Sequence, residues 1–341
     1  MQGPLLECIP NVSEGRNLEV IEALTAAITS VSEVQLLHRD IGADANRTVF
    51  TFLGPPAATI EAAKRLASAV VSRIDLTEYS GTHPYIGALD VCPFVPLFGL
   101  PMDVAKQAAL EVAQYLGYEL KVPAYLYEKS ATRPAYRLLA KVRKGGIQAV
   151  RLRQNQSDTN LDLGPDYGPG GVHPTAGASV VGARNLLVAY NINLTTTDVK
   201  VARTIAKSIR ATGNGHRLAG VRAIGWYQAS FGYAQISINV TNVNKTGLAT
   251  IYEAVRKEAQ TYNCYVAGSE MIGLVPFSAL VAAGHVYGGS SLSDFASAKL
   301  AIEKLGLTSQ PIGPATKWRY VSSDDKHAGQ YGEFDQVADL W

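Results

Sequence analysis

What most constrains this chain is a grammar of apolar periods that occurs twice. In the first half, a strand-like run around Cys8 precedes helical spacing over residues 18–30, with Leu18, Ile21, Leu24 and Ile28 on one face. Two extended runs follow, Val34–His38 and Thr48–Leu53. Pro55-Pro56 then opens a helix whose stripe is Ile60, Ala63, Ala67, Val70 and Ile74, and Val91–Leu97 closes the set as a strand. The second half runs from Asn185–Leu194 to a helix carrying Ala202, Ile205 and Ile209. After it come Arg222–Tyr227, Tyr233–Val240, a helix with Leu248, Ile251, Val255, Ala259 and Tyr262, and the run Tyr265–Val275. Each half reads β-α-β-β-α-β. With 341 residues the chain is long enough to give each half its own core.

That order predicts an α+β protein of two ferredoxin-like subdomains, each an antiparallel sheet with helices on one face only. We expect a first subdomain over 1–184, a second over 185–310, and a tail, 311–341, with no clear period and no assigned role. Pro93 and Pro96 argue that their strand lies at an edge or carries a bulge. Pro101 begins a further helix, and Pro123–Tyr127 is a short strand. The sheet face opposite the helices needs a purpose. In Tyr233–Val240, Ala234, Ile236, Ile238 and Val240 alternate with Tyr233, Gln235, Ser237 and Asn239. The apolar side belongs under the helices. The polar side fits either plain solvent or a cleft facing the matching sheet of the other half, and amide and hydroxyl groups suit a small polar ligand in such a cleft.

Composition narrows the partners. A formal charge of +2 with no Lys/Arg-dense stripe argues against nucleic acid, and no apolar run is long enough to span a bilayer. No basic and apolar leader opens the sequence. Cys8, Cys92 and Cys264 are far apart, fit neither a disulfide framework nor a zinc site, and read as buried free thiols of a cytoplasmic protein. Between the halves, Gln154–Gly182 is dense in Gly, Pro, Asp and Ser and reads as a long ordered loop. Its Gly168-Pro-Gly-Gly171 resembles a phosphate cradle in composition alone, because no helix starts directly behind it.

Of the six histidines, His83 and His173 sit in the most constrained company. His83 follows Gly81-Thr82 and precedes Pro84, which restricts the backbone on both sides, and Gly87 and Asp90 are close behind. His173 lies within the Gly/Pro-rich loop. The stretch Asp40–Thr48 joins two strands and packs two carboxylates, the Asn46 amide and the Arg47 guanidinium into nine residues. It reads either as a polar turn with an internal Asp–Arg pair or as a site. In the second reading Arg47 offers a fork to a substrate carboxylate and Asp40 holds a histidine.

In order and spacing these segments resemble the formiminotransferase family. The resemblance rests on Leu6-Glu-Cys-Ile-Pro-Asn-Val-Ser-Glu-Gly15, Asn46-Arg-Thr-Val-Phe-Thr-Phe52, His83-Pro and Gly87-Ala-Leu-Asp-Val-Cys-Pro-Phe94. It continues through Gly164-Pro-Asp-Tyr-Gly-Pro169, Val181-Gly-Ala-Arg184, Asn191-Ile-Asn-Leu194, Ile224-Gly-Trp226 and Gly268-Ser-Glu-Met-Ile-Gly-Leu274. It implies facing sheets that form a ligand tunnel for tetrahydrofolate, usually in a homodimer, with no metal. It further implies His83 as the catalytic acid/base and Asp40 as its support. Gly168, Pro169, Gly170, Gly171, Val172, His173, Pro174, Thr175, Ala176 and Gly177 would line the folate, and Asn46, Arg47 and Arg184 would bind substrate. The implied reaction moves the formimino group of N-formimino-glutamate to N5 of tetrahydrofolate. One amine must lose a proton and the departing glutamate nitrogen must gain one, and a single imidazole suits both tasks. Two departures bear on the donor: Tyr85 stands where the family commonly has Arg after His-Pro, and His173 where it carries apolar residues. They open two alternatives, formyl transfer between 5-formyltetrahydrofolate and glutamate, and a folate-binding relative without chemistry.

Overall fold

A computed structural model of the chain describes residues 4–81, 84–97, 99–153, 163–230, 232–307, 318–321 and 331–334. It divides into two compact units, Met1–Asn185 and Leu186–Trp341. Both are mixed α+β, each with its own sheet and core.

In the first unit the chain runs through β1 (Leu5–Cys8), β2 (Asn11–Val12), α1 (Leu18–Thr29), β3 (Gln35–Gly42), β4 (Arg47–Gly54), α2 (Pro56–Arg73), β5 (Leu89–Leu97), α3 (Met102–Tyr118) and β6 (Ala124–Glu128). A 3-10 turn at Pro134–Arg137 and two short helices, α4 (Leu139–Val142) and α5 (Gly146–Arg153), lead to β7 (Ser179–Ala183). Local chemistry sets these bounds. The Asn17 side chain accepts from the Val20 N–H at 3.2 Å and caps α1, while Pro56 starts α2 where an N–H would have no partner anyway. The predicted stripes of α1 and α2 are buried at Ile21, Leu24 and Ile28 and at Ala63, Ala67 and Val70; Leu18, in the first turn of α1, is 63% exposed, Ile60 is partly buried, and the buried Ile74 lies just past the end of α2. Small residues at Ala62, Ala63, Ala67, Ala105, Ala108, Ala109 and Ala113 bring α2 and α3 close to the sheet, where Phe50, Phe52 and Phe94 fill the core.

The sheet departs from expectation in two ways. It is not purely antiparallel: β3 pairs β4, β4 pairs β1 and β2, and these pair β5, all antiparallel, but β5–β7 and β7–β6 are parallel. The strand β7 lies inside the stretch read as a loop, because the five buried residues Ser-Val-Val-Gly-Ala are too few to show a period beside so many glycines and prolines. Nor is β5 an edge strand, although the other expected outcome is present: its pairing with β2 shifts register between Asn11–Val91 and Val12–Leu89. The Pro93 carbonyl accepts from Ile9 N–H, so its missing N–H faces the break between β1 and β2, where no ladder bond is owed. Pro96 falls beyond the last β5–β7 partners, Phe94 and Ala183, so its nitrogen is not owed a bond either.

The second unit comprises β8 (Val188–Leu194), α6 (Val199–Ile209), β9 (Val221–Gln228), β10 (Tyr233–Val240), α7 (Leu248–Thr261), β11 (Val266–Ile272), β12 (Val275–Pro276), α8 (Phe277–Gly288) and α9 (Asp294–Lys304). Its main sheet has the order β11-β8-β10-β9, antiparallel throughout. The β10 strand has the predicted limits. Ala234, Ile236, Ile238 and Val240 are buried in one core with Tyr190, Ile192 and Leu194 and with residues of α6 and α7. The run 265–275 is broken at Gly273, which has φ +78°, into β11 and β12. In the tail, β13 (Trp318–Val321) pairs β12 in parallel and β14 (Tyr331–Phe334) in antiparallel fashion. No described helix is long and apolar enough to cross a membrane. Cys8, Cys92 and Cys264 are buried free thiols.

Candidate active site

The foremost sequence candidate, His83, lies with Thr82 outside the described residues, but both flanks of that pair are fixed. Upstream, Asn46 Nδ2 donates to the Ser80 carbonyl at 3.0 Å, Arg16 Nη1 donates to Ser80 Oγ at 3.1 Å, and the Tyr79 hydroxyl donates to the carbonyls of Asn46 and Ala45 at 2.8 and 3.1 Å. Asn46 Oδ1 also accepts from the Gly15 N–H at 2.9 Å. Asn46, expected as a substrate ligand, thus spends both ends of its amide clamping the 42–47 turn to the segment that enters His83. It does so from φ +47°, a conformation that Asn tolerates better than most residues. Downstream, Ile86 N–H donates to Asp90 Oδ1 at 3.0 Å, and the Ile86 carbonyl accepts from Ala178 N–H at 2.9 Å. Tyr85 packs edge-on against Tyr79, with ring centroids 4.4 Å apart.

Asp90 anchors this frame. It is fully buried and meets two cations, Arg47 Nη1 at 2.7 Å and Arg143 Nη2. Burial pushes its carboxyl up, but Arg143, Arg47 and the Ile86 amide prevail and hold it below the usual carboxylate range. The rest of the Arg47 fork, Nε and Nη2, binds Asn11 Oδ1 at 3.2 and 2.9 Å. The guanidinium expected to meet a substrate is therefore turned into the protein, and its Asp partner is neither carboxylate of the Asp40–Thr48 stretch. Sequence reasoning missed Arg143. It lies outside every motif that the sequence singled out. Asp40 sits half-buried on β3 opposite Val49, two pairs along the ladder from Gly42–Arg47.

The loop 163–178 is pinned at both ends. At its start Asp166 Oδ2 accepts from Leu126 N–H at 2.7 Å, Thr132 donates to Asp166 Oδ1, and Ala124 N–H donates to the Tyr167 carbonyl at 2.9 Å. At its end His173 and Gly177 exchange backbone bonds at 2.8 and 3.0 Å, and Ala88 N–H donates to the Ala176 carbonyl. A side chain at Gly87 would lie 1.8 Å from the Ala178 carbonyl oxygen, so only glycine lets the two strands of chain meet there. This contact brings the segment after His83 against the 168–177 loop, with Pro169 and Gly170 exposed at its apex. His173 Nδ1 accepts from the N–H groups of Ala176 and Thr175 at 3.0 and 3.3 Å, which places its proton on Nε2, and burial holds its pKa below the usual value. His173 is a neutral turn-former whose one remaining donor points away from the turn.

Arg184 directly follows β7 and is half-buried, and its Nη1 donates to the Asn185 carbonyl at 3.1 Å. Its charge acts on Glu7, 1% exposed on β1, whose Oε2 has no hydrogen-bond partner among the described residues. Burial pushes the Glu7 carboxyl up to about 7 while Arg184 pulls it back. Glu7 was part of a sequence motif but drew no attention, because a lone acid in an apolar strand carries no spacing signal. In the second unit, Trp226, Gln235, Asn193, Asn191 and Glu270 form a polar network on the sheet face opposite the helices. Among the described residues no group of three His, Cys, Asp or Glu side chains could hold a metal ion.

Fold and site together define a class: a two-unit α+β protein in which a buried carboxylate–diguanidinium frame fixes the approach to a histidine segment and to a glycine-rich loop. Comparison with known proteins makes the class specific. Residues 5–184 match the formiminotransferase domain, N-terminal subdomain, and residues 189–317 match the formiminotransferase domain. The chain belongs to the formiminotransferase family. It is 41% identical to the glutamate formimidoyltransferase of Streptococcus pyogenes serotype M1 over 283 residues, 83% of this chain and 93% of that protein. Against the glutamate formimidoyltransferase of Thermoplasma acidophilum it is 37% identical, again over 83% of this chain. The formimidoyltransferase-cyclodeaminase of Rattus norvegicus is 40% identical over 91% of this chain, and the match spans 58% of that longer protein.

Proposed function

We propose that this chain is a glutamate formimidoyltransferase, moving the formimino group of N-formimino-L-glutamate to N5 of tetrahydrofolate. The observation that carries this reading is the 41% identity to a glutamate formimidoyltransferase across nearly its whole length. The folate supplies the nucleophilic amine; the chain supplies position and proton transfer. His83 takes the proton of that amine and returns one to the departing glutamate nitrogen, with Asp40 setting its tautomer. The clamps on Ser80 and Ile86 support this role, because an acid/base must be held within hydrogen-bond reach of both nitrogens. Arg184 is the cation we assign to a substrate carboxylate, while Asn46 and Arg47 bind substrate indirectly by shaping the wall. Residues 168–177 line the folate, with Pro169 and Gly170 at the accessible apex.

The same reading takes the two units as ferredoxin-like subdomains whose polar sheet faces border a folate tunnel. The strand order of the second unit, and the β3-β4-β1/β2-β5 part of the first, support it. It also includes a homodimer acting in the cytoplasm without a metal. Tyr85 favours one rival, a changed one-carbon donor. The test is to incubate the protein with tetrahydrofolate and formimino-glutamate, and separately 5-formyltetrahydrofolate and glutamate, following the folate product. Turnover of the first pair is expected; turnover of the second alone would reassign the donor, and folate binding without either reaction would leave a binder.

A further inference from the structure

Two carboxylates of the first unit are fully buried, and their surroundings differ. Asp90 has two guanidiniums and an amide, whereas Glu7, 1% exposed on β1, has an Oε2 that makes no hydrogen bond among the described residues. The proposed mechanism gives Glu7 no task. A buried carboxyl group without hydrogen bonds is costly as an anion, so it favours its protonated form.

Register shows what lies around it. Glu7 pairs with Leu53 on β4 and with Val95 on β5. On the far side of β5, Phe94 pairs with Ala183, and the Arg184 N–H donates to the Phe94 carbonyl at 3.0 Å. Leu6, Cys8, Phe94 and Ala183 turn into the core under the helices, so Glu7, Val95 and Arg184 share the opposite face in one row. Two strand spacings, about 10 Å, separate the Glu7 and Arg184 backbones, within the combined reach of two long side chains. Arg184 acts on Glu7 through space and closes no ion pair with it among the described residues. Val95, between them, is buried and offers neither donor nor acceptor. On β4, Thr51 is diagonal to Glu7 and buried, with its own hydroxyl unbonded among the described residues. On the helix side stand the Cys8 and Cys92 thiols, 3.6 Å apart, and beyond β7 lies Tyr127, paired with Gly182. Burial pushes Cys8 and Tyr127 up, Tyr127 to about 12, so both keep their protons near neutrality.

We infer that Glu7 is a proton-linked gate on Arg184, taking up a proton when a substrate carboxylate reaches that guanidinium and competing for it otherwise. The gate rests on the proposed function, in which Arg184 meets a substrate carboxylate, and adds how that encounter is controlled. Two carboxylates beside one guanidinium repel each other, so the one shut away from water is the one that stays protonated. The proton comes from solvent and offsets the negative charge that the substrate brings, leaving the guanidinium to the substrate. Proton and carboxylate therefore strengthen each other's binding by the same factor. Glu7 is a positioning residue: it acts through Arg184 and needs no contact with substrate. Both the amino-acid donor and the folate carry carboxylates, and the gate serves whichever of them Arg184 holds.

The test is calorimetric titration of the whole chain with N-formimino-glutamate and, separately, with 5-formyltetrahydrofolate, each without its co-substrate, from about pH 6.5 to 8.5. Burial pushes the Glu7 carboxyl up to about 7, so the native affinity for one probe should fall about tenfold across that range relative to Glu7→Gln. The ratio of native to variant cancels the other titrating groups, His83 included. Near pH 7.5, in two buffers of different ionisation enthalpy, that probe should bring about half a proton more into the native chain than into Glu7→Gln. Arg184→Gln should weaken the same probe about tenfold or more and abolish the uptake. The probe that shows the linkage names the carboxylate at Arg184. A native-to-variant ratio independent of pH for both probes overturns the gate, even if Arg184→Gln has lost affinity. Native affinity for both probes in Arg184→Gln removes the assignment of that guanidinium, and the gate with it. Absence of binding of either probe by the native chain instead overturns the function on which the gate rests. Should Glu7→Gln fail to fold, native proton uptake set against that of Arg184→Gln decides the matter.

Discussion

The two units treat buried polarity differently. The first uses charge: Asp90 between Arg47 and Arg143, and Glu7 near the half-buried Arg184, with both carboxylates fully buried. The second uses a relay of neutral amides ending on a single carboxylate, Glu270. Buried ion pairs are costly to desolvate and hold geometry tightly once their partners are in place. An amide relay carries donor–acceptor direction at little net charge. The contrast teaches that one fold pattern can stabilise buried polarity by paired charges in one unit and by a neutral amide relay in the other.

Asp90→Asn attacks the frame most directly. It leaves two buried guanidiniums facing each other with one neutral amide between them, and should cost about 3–5 kcal/mol of unfolding free energy in urea titration. Its pH behaviour follows from the depressed carboxyl: the native chain keeps this stabilisation above the unfolded-state pKa and loses it as pH falls through the lower folded value, and the variant lacks that acid limb. A variant as stable as the native chain would remove Asp90 as the anchor.

Glu7 should show the opposite sign. Its folded pKa of about 7 lies above its unfolded value, so its contribution is fully present below pH 4.5 and is lost as pH rises towards 7. The loss is about 3 kcal/mol across that window, and Glu7→Gln should flatten it. A native stability that rises steadily between pH 5 and 7, unaltered in the variant, would contradict the assignment. The smallest effect belongs to the relay: Gln235→Leu strands the Trp226 N–H and the Asn193 carbonyl and should cost roughly 1–3 kcal/mol, with no new pH dependence in either direction. A loss as large as that of Asp90→Asn would erase the distinction between the units.

The parts of this arrangement legible in the sequence are those with a period. The stripe Ala63–Ala67–Val70 and the alternation of Tyr233–Val240 report burial on one face, and both elements form with that face inward. The polar side of β10 was visible as Gln235 and Ser237, but not its partners, because Asn193 and Glu270 come from strands 42 and 35 residues away and only register brings them together. Arg47 illustrates the limit in the first unit. Its type and neighbours fit a substrate ligand, yet its fork is taken up by Asp90, 43 residues on, and by Asn11. The strand β7 and the helices α8 and α9 carried too little contrast with their surroundings to be read. The motif around His83 named the segment but not the clamps on its flanks, because each joins a side chain to a distant partner, often a backbone group, that only the fold brings near.

The division of labour is tested most directly by measuring, in one His83→Ala variant, both the single-turnover rate with formimino-glutamate and the affinity for 5-formyltetrahydrofolate. The account predicts a rate lower by roughly 10²–10⁴ with the folate dissociation constant held within about twofold. An unchanged rate, or a folate affinity that collapses in step with the rate, would contradict it.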